Sequence, residues 1–217
     1  MTDPSNYLKT PRAILDPHLE KLADLFRRME QAYDAAAAAY GFKCTGCVDN
    51  CCLTRFYHHT LLEYLYLYRG YADLPVVEQD RLQKAAAEVN RVLADADERG
   101  ASLRSMCPLN LAGRCRLYRY RPMICRLHGI PNELRPPGGS PVQGPGCGEF
   151  GRQCGHLPVI PFDRTPLYGE MARGEKALRA DVDFRGKTRL TVAEMIVTFP
   201  VPGSPQNRCG ATARLEK

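Results

Sequence analysis

Apolar residues recur along this chain mostly at spacings of three and four, the period of amphipathic helices packed on a core. The first stripe is Leu19, Leu22, Phe26, Met29, Tyr33, Ala36 and Tyr40. Asp16-Pro17 supplies a start signal before it, and Gly41 supplies a left-handed stop after it. Residues 1–15 then read as an irregular lead-in. The stripe is heptad-like, but it spans barely three heptads, which suits packing on the chain's own core better than a dimerising coiled coil. A second helix is predicted from Thr60, where Thr60 and Glu63 form a capping-box pattern; it carries Leu61, Leu62, Tyr64, Leu65 and Leu67 and ends near Gly70. The third and clearest helix runs from Pro75 to about Arg99, is stopped by Gly100, and presents Val77, Leu82, Ala85, Val89, Leu93 and Ala96 as its buried face.

Beyond Gly100 the pattern changes. Residues 106–129 predict a tight turn at Ala112-Gly113 among short helical pieces. Residues 129–161, rich in proline and glycine, predict a long loop with neither helix nor strand. Two more short helices are expected near Thr165–Ala180 and Val192–Val197, and an irregular tail from Pro200. There is no internal repeat. The expected fold class is mainly α: a single helical domain over 1–217 with irregular cysteine-rich metal-binding loops. Its parts are a lead-in and N-terminal helix (1–41), a cysteine-cluster core (42–130) and a Pro/Gly-rich loop with a C-terminal extension (131–217).

With 217 residues and 44% hydrophobic side chains, the chain has enough apolar material for a core without help from metal. No apolar run reaches the roughly 18 residues of a membrane helix, and the N-terminus has no continuous apolar signal region. A cytoplasmic protein with no membrane partner is therefore expected. That placement bears on the ten cysteines, because clustered thiols in a reducing compartment bind metal or do redox work more often than they form disulfides.

Seven of the ten fall in two groups. The first is Cys44-Thr-Gly-Cys47-Val-Asp-Asn-Cys51-Cys52, in which the C-x2-C step lets two thiolates grip one ion from a turn formed by Thr45 and Gly46. The side chains of adjacent Cys51 and Cys52 are expected to diverge. They would serve two ions, two irons of one cluster, or one ligand and one buried thiol. The second group holds Cys107, Cys115 and Cys125, whose spacings of seven and nine intervening residues carry weight only beside the first group.

Together these groups resemble the CxxCxxCC (YkgJ-type) family of zinc- or iron-chelating cysteine-cluster domains of bacteria and archaea. Cys107-Pro108, Cys115-Arg116-Leu117-Tyr118 and Arg121-Pro122-Met123-Ile124-Cys125-Arg126 match the second half of that family's pattern. The first half departs from it, with three residues rather than two between Cys47 and Cys51, which leaves open which of Cys51 and Cys52 takes a given family position. The resemblance covers residues 42–130 and implies metal chelation. The chain is also similar to the cysteine-rich part of flagellin lysine N-methylases, longer enzymes that use S-adenosylmethionine, although no separate methyltransferase signature is present.

The predicted metal ligands are Cys44, Cys47, Cys51, Cys52, Cys107, Cys115 and Cys125. Seven thiols exceed one four-coordinate zinc site and suit an iron–sulfur cluster with spare thiols slightly better, so either an iron–sulfur cluster or Zn²⁺ is expected. The C-x3-C-x2-C order of radical S-adenosylmethionine enzymes is reversed here, which excludes that class. His58 and His59 could be ligands or acid–base groups, or plain polar residues at a helix start; His128, three residues after Cys125, is the foremost histidine candidate. Cys147, Cys154 and His156 could complete a second metal site or fold over the first, the alternative being two buried or exposed free thiols; Cys209 reads as incidental.

The net charge of +6 comes mostly from arginine. Arg114, Arg116, Arg119, Arg121 and Arg126 crowd the second group, where they would offset thiolate charge more readily than clamp an anionic substrate; a nucleic-acid partner is not expected. Tyr64, Tyr66, Tyr68 and Tyr71 read as core. Function is expected in electron transfer, sensing or metal handling, with a group-transfer enzyme or a zinc-stabilised interaction module as alternatives. No catalytic residue, organic cofactor-binding residue or protein partner can be named.

Overall fold

The computed structural model describes residues 3–44, 51–160 and 162–201. The long stripe forms α1 (Arg12–Tyr40), which begins earlier than its sequence suggests, after an N-cap Pro11 that offers no side-chain cap; upstream, the Asp3 carboxylate accepts from Ser5 and opens a separate short 3-10 turn, Pro4–Lys9. Pro17 therefore sits inside α1. The helix ends as expected, with Gly41 at φ 67° and its N–H bonded back to Ala37 and Ala38. Leu15, Leu19, Leu22, Phe26 and Met29 are buried, and α1 packs on α6 (Thr165–Asp181), α4 (Met123–Leu127) and α2 (Leu61–Ala72), so the chain's own core uses the heptad-like stripe.

Helix α2 is buried nearly all round, which is why its apolar residues show no single stripe. Thr60 Oγ1 accepts from Glu63 N at 3.1 Å, but the reciprocal half of the capping box is missing: Glu63 is buried and accepts instead from Met123 N at 2.9 Å. Glu175 on α6 caps the remaining donors, its two oxygens each 2.9 Å from the N–H groups of Leu61 and Leu62. The reciprocal box occurs at α7 (Val192–Val197), between Thr191 and Glu194. Helix α3 (Val76–Glu98) turns Gln79, Leu82, Ala86, Leu93 and Ala96 inward. Val77, expected inside, is 83% exposed in the first turn, and Ala86 rather than Ala85 takes the buried place. Tyr64, Tyr66 and Tyr71 are core residues as expected, and the ring of Phe199 lies 5.2 Å from those of Tyr64, Tyr68 and Tyr71.

The Ala112-Gly113 turn forms as predicted, both residues with positive φ (50° and 82°), joining two-residue strands β1 (Asn110–Leu111) and β2 (Arg114–Cys115). The Pro/Gly-rich segment is not the structureless loop its composition implied. Its densest stretch is the turn of a hairpin between β3 (Asn132–Leu134) and β4 (Val142–Gly144), and α5 (Gly148–Cys154) follows. Strands of three residues are too short to show an alternating pattern. The result is a mainly helical fold around one contiguous core, and among the described residues no helix is long and apolar enough to cross a membrane.

A Cβ added at Gly70, inside α2, would lie 2.2 Å from Cδ2 and 2.4 Å from Cγ of Tyr120. Glycine to alanine in a helix ordinarily stabilises by about 0.5–1 kcal/mol. Gly70→Ala should instead destabilise by about 1–3 kcal/mol, because the ring would have to leave its place. Urea unfolding of the two proteins reads the sign directly, and a stabilised variant would show that α2 and the Tyr120 turn are not packed together.

Candidate metal centre

The second cysteine group is held on the body of the protein by arginines. Arg126 extends from α4 into the interior, its guanidinium 4.2 Å from the centre of the Phe26 ring, and pairs with Glu30 on α1. Its remaining donors reach the carbonyls of Arg121 at 2.9 Å and Arg119 at 2.5 Å. Arg121 shares Glu30 at 3.3 Å and lies 3.8 Å over the ring of Tyr118. Arg116 pairs with Glu78 on α3. These side chains are struts between elements, while Arg114 stays exposed on the rim of the cavity described next.

Cys44, Cys51, Cys52, Cys107, Cys115 and Cys125 all line one cavity of about 850 Å³ among α1, α3, α4 and the start of α7. The seventh predicted ligand, Cys47, lies outside the described residues. Cys209 lies outside them as well. The described cysteines are all free thiols. Between the groups runs a direct link: Cys107 N donates to Cys52 O at 2.8 Å.

Backbone amides are aimed at the sulfurs. Leu109 N–H donates to Cys107, Leu117 N–H to Cys115, and Phe150 N–H to Cys147, the last at 3.4 Å. In the first two, the donor is two residues past the cysteine, the turn that stabilises negative sulfur. Asn110 accepts from Gly113 N at 3.0 Å and bonds to Cys52. Cys51 and Cys52 do not diverge as expected: the Cys51 thiol donates to the sulfur of Cys52, which raises Cys51 and lowers Cys52.

Desolvation dominates elsewhere. It pushes Cys107 up to about 12, raises Cys115, and carries Cys125 well above the ordinary thiol value, with neighbouring cysteines adding to each shift. Metal-free, these three thiols are neutral at physiological pH. Among the described residues no three Cys, His, Asp or Glu side chains converge as a formed ion site. The donor set nonetheless has the chemistry of a soft-metal site: thiols in number, amides turned toward sulfur, and Arg121 acting on Cys52 and Cys115.

No known protein family, curated protein or solved structure matches this chain. Its chemistry has to be read from the cavity.

Three further candidate ligands line that wall. Cys147 is there, whereas Cys154 is buried against Tyr40 O at 3.5 Å and His156 is exposed, neither lining the cavity. His128 lines it with its ring 5.2 Å from that of Phe56. His58 lines it too, 3% exposed, pinned by a pair of backbone bonds with Leu190 at 2.8 and 3.0 Å. Burial lowers its pKa to about 4, and Nε2 has no hydrogen-bond partner, so it presents a neutral imidazole. His59 is exposed and apart.

Thiol accessibility gives a test in metal-free protein. In a short pulse of iodoacetamide at neutral pH, exposed Cys44 and acidified Cys52 should label first, with Cys107, Cys125 and Cys154 last. Peptide mass spectrometry gives the order, and labelling of Cys107 or Cys125 as fast as Cys44 would contradict the desolvation described here.

Proposed function

We propose that the cavity is a thiolate metal centre to which both cysteine groups contribute, holding an iron–sulfur cluster or zinc in a reducing compartment. The observation that carries this proposal is the gathering of six cysteines from two segments of chain onto one cavity wall. The Cys107–Cys52 bond supports it, as do amide donors directed at sulfur. The motif resemblance of residues 42–130 to cysteine-cluster domains points the same way.

Neutral, desolvated thiols would release their protons as metal binds, so uptake would be coupled to pH and to folding. When bound, a cluster supplies one-electron chemistry, whereas zinc supplies cross-linking and charge. The chain's own residues hold the thiolates in place, offset their charge with Arg121 and Arg126, and restrict water through the packing of α1 and α3. The role that follows is electron transfer, sensing or metal handling. The cavity volume, which falls within the range of small-molecule sites, favours one further reading, a group-transfer enzyme with the metal beside its substrate.

Anaerobically purified protein should contain zinc plus iron in stoichiometric amount, and less than about 0.3 equivalents would refute the assignment. Cys115→Ser and Cys125→Ser should lower metal content as much as Cys44→Ser. Full metal in the second-group variants would mean that the groups act independently. Binding of S-adenosylmethionine by calorimetry would move the assignment toward the group-transfer enzyme.

A further inference from the structure

We infer that the part of the cavity wall formed by α3, α7 and His58 binds a small, uncharged hydroxyl compound, whose hydroxyl bonds to His58 Nε2. This goes beyond the thiolate centre and does not require it. His58 is brought to the wall by its bridge to Leu190, with N–H···O bonds of 2.8 and 3.0 Å in the two directions. The bridge sets it beside Thr191, Val192 and Ala193, which line the same cavity at the start of α7. Two residues back, Phe56 also lines the wall, and its ring meets that of His128 at 5.2 Å. Tyr57, between them, takes the other face, with the guanidiniums of Arg55 and Arg189 at 5.5 and 3.6 Å from its ring centre. That alternation is the period of an extended chain, and it turns His58 inward. Helix α3, packed on α7, adds Val89 and Leu93.

The other polar groups here are already engaged. Thr191 Oγ1 accepts from Glu194 N at 3.2 Å, and Arg55 is held by Asp97 at 2.8 Å. His58 is 3% exposed, and its Nε2 has no hydrogen-bond partner. Buried polar atoms are ordinarily paired, because an unpaired one has lost water and gained nothing. A partner entering the cavity relieves that loss. Burial also keeps the imidazole neutral, its pKa lowered to about 4, so it offers no charge to a carboxylate or phosphate. Nε2 of a neutral imidazole carries either a proton or a lone pair. A hydroxyl answers both tautomers, since it donates as well as accepts. Phe56, Val89 and Leu93 supply contact for an apolar body. An apolar wall with one placed polar group is the usual make-up of a small-molecule site.

Phenol and toluene, alike in shape and differing in the hydroxyl, are the probes, titrated by NMR into the intact protein as purified. Phenol should shift the methyl resonances of Val89, Leu93 and Val192 and move the nitrogen resonance of His58 Nε2, whereas toluene should shift the methyls alone. The preference for phenol over toluene should fall about tenfold in His58→Phe, which keeps a ring and removes both nitrogens. Benzoate should bind more weakly than phenol by about tenfold or more. Unmoved methyl resonances with both probes would overturn the site. Binding of both with an unmoved Nε2 resonance, or an unchanged preference in folded His58→Phe, would overturn the role of His58. Benzoate binding as tightly as phenol would overturn the uncharged class. The Nε2 resonance is read in the parent protein, so the test stands even where His58→Phe fails to fold. None of these readouts depends on metal content, which separates failure of this site from failure of the thiolate centre.

Discussion

One carboxylate, Glu30, secures the cysteine loops to the helical body. It accepts from Arg126, which is almost wholly out of water, and from Arg121, which is largely so. Burying a guanidinium is unfavourable unless charge and hydrogen bonds are both supplied. Arg126 has both, from Glu30 and the carbonyls of Arg119 and Arg121, with the face of Phe26 beneath it. Because Cys125 adjoins Arg126 and faces the cavity, the same contacts that satisfy the arginine position the sulfur. The short helix α4 is thereby fixed to α1 and, through Met123 N and Glu63, to α2.

From that anchor the wall is assembled by backbone bonds. Cys107 meets Cys52 directly, and the β1–β2 turn returns the chain so that Cys115 and Asn110 face the same space. Closing long loops costs chain entropy, and a metal bound across them would convert its binding free energy into stability for those loops. The helices have their own caps and apolar faces, as at Gly41 and Thr191, so the body does not depend on that contribution.

Much of this was legible in the sequence. Three- and four-residue apolar spacing located α1, α2 and α3, and Gly41, Gly100 and the Ala112-Gly113 turn behave as their conformational freedom dictates. Six of the seven predicted ligands share one cavity. What failed was local. Asp16-Pro17 imitates a helix start although the chain is already helical there. Thr60 and Glu63 form only half of their capping box, because Glu63 accepts from Met123 N on another element. The β3–β4 hairpin and α5 carry too few apolar residues to signal themselves, so the way Cys147 reaches the cavity wall, where Cys154 and His156 do not, was not legible. The chain entering Cys44 meets α5 through Lys43 on Gln153 and Phe42 on Phe150. His58 was visible as a residue, but its place in the cavity wall depends on a backbone bridge to distant Leu190.

X-ray absorption at the zinc and iron edges of the intact, anaerobically purified protein tests the thiolate centre most directly. The account predicts a nearest shell dominated by sulfur at about 2.3 Å, with most of that signal lost when Cys52 and Cys107, the residues joined across the two groups, are both replaced by serine. A nearest shell of nitrogen and oxygen at about 2.0–2.1 Å, unchanged in that double variant, would contradict it.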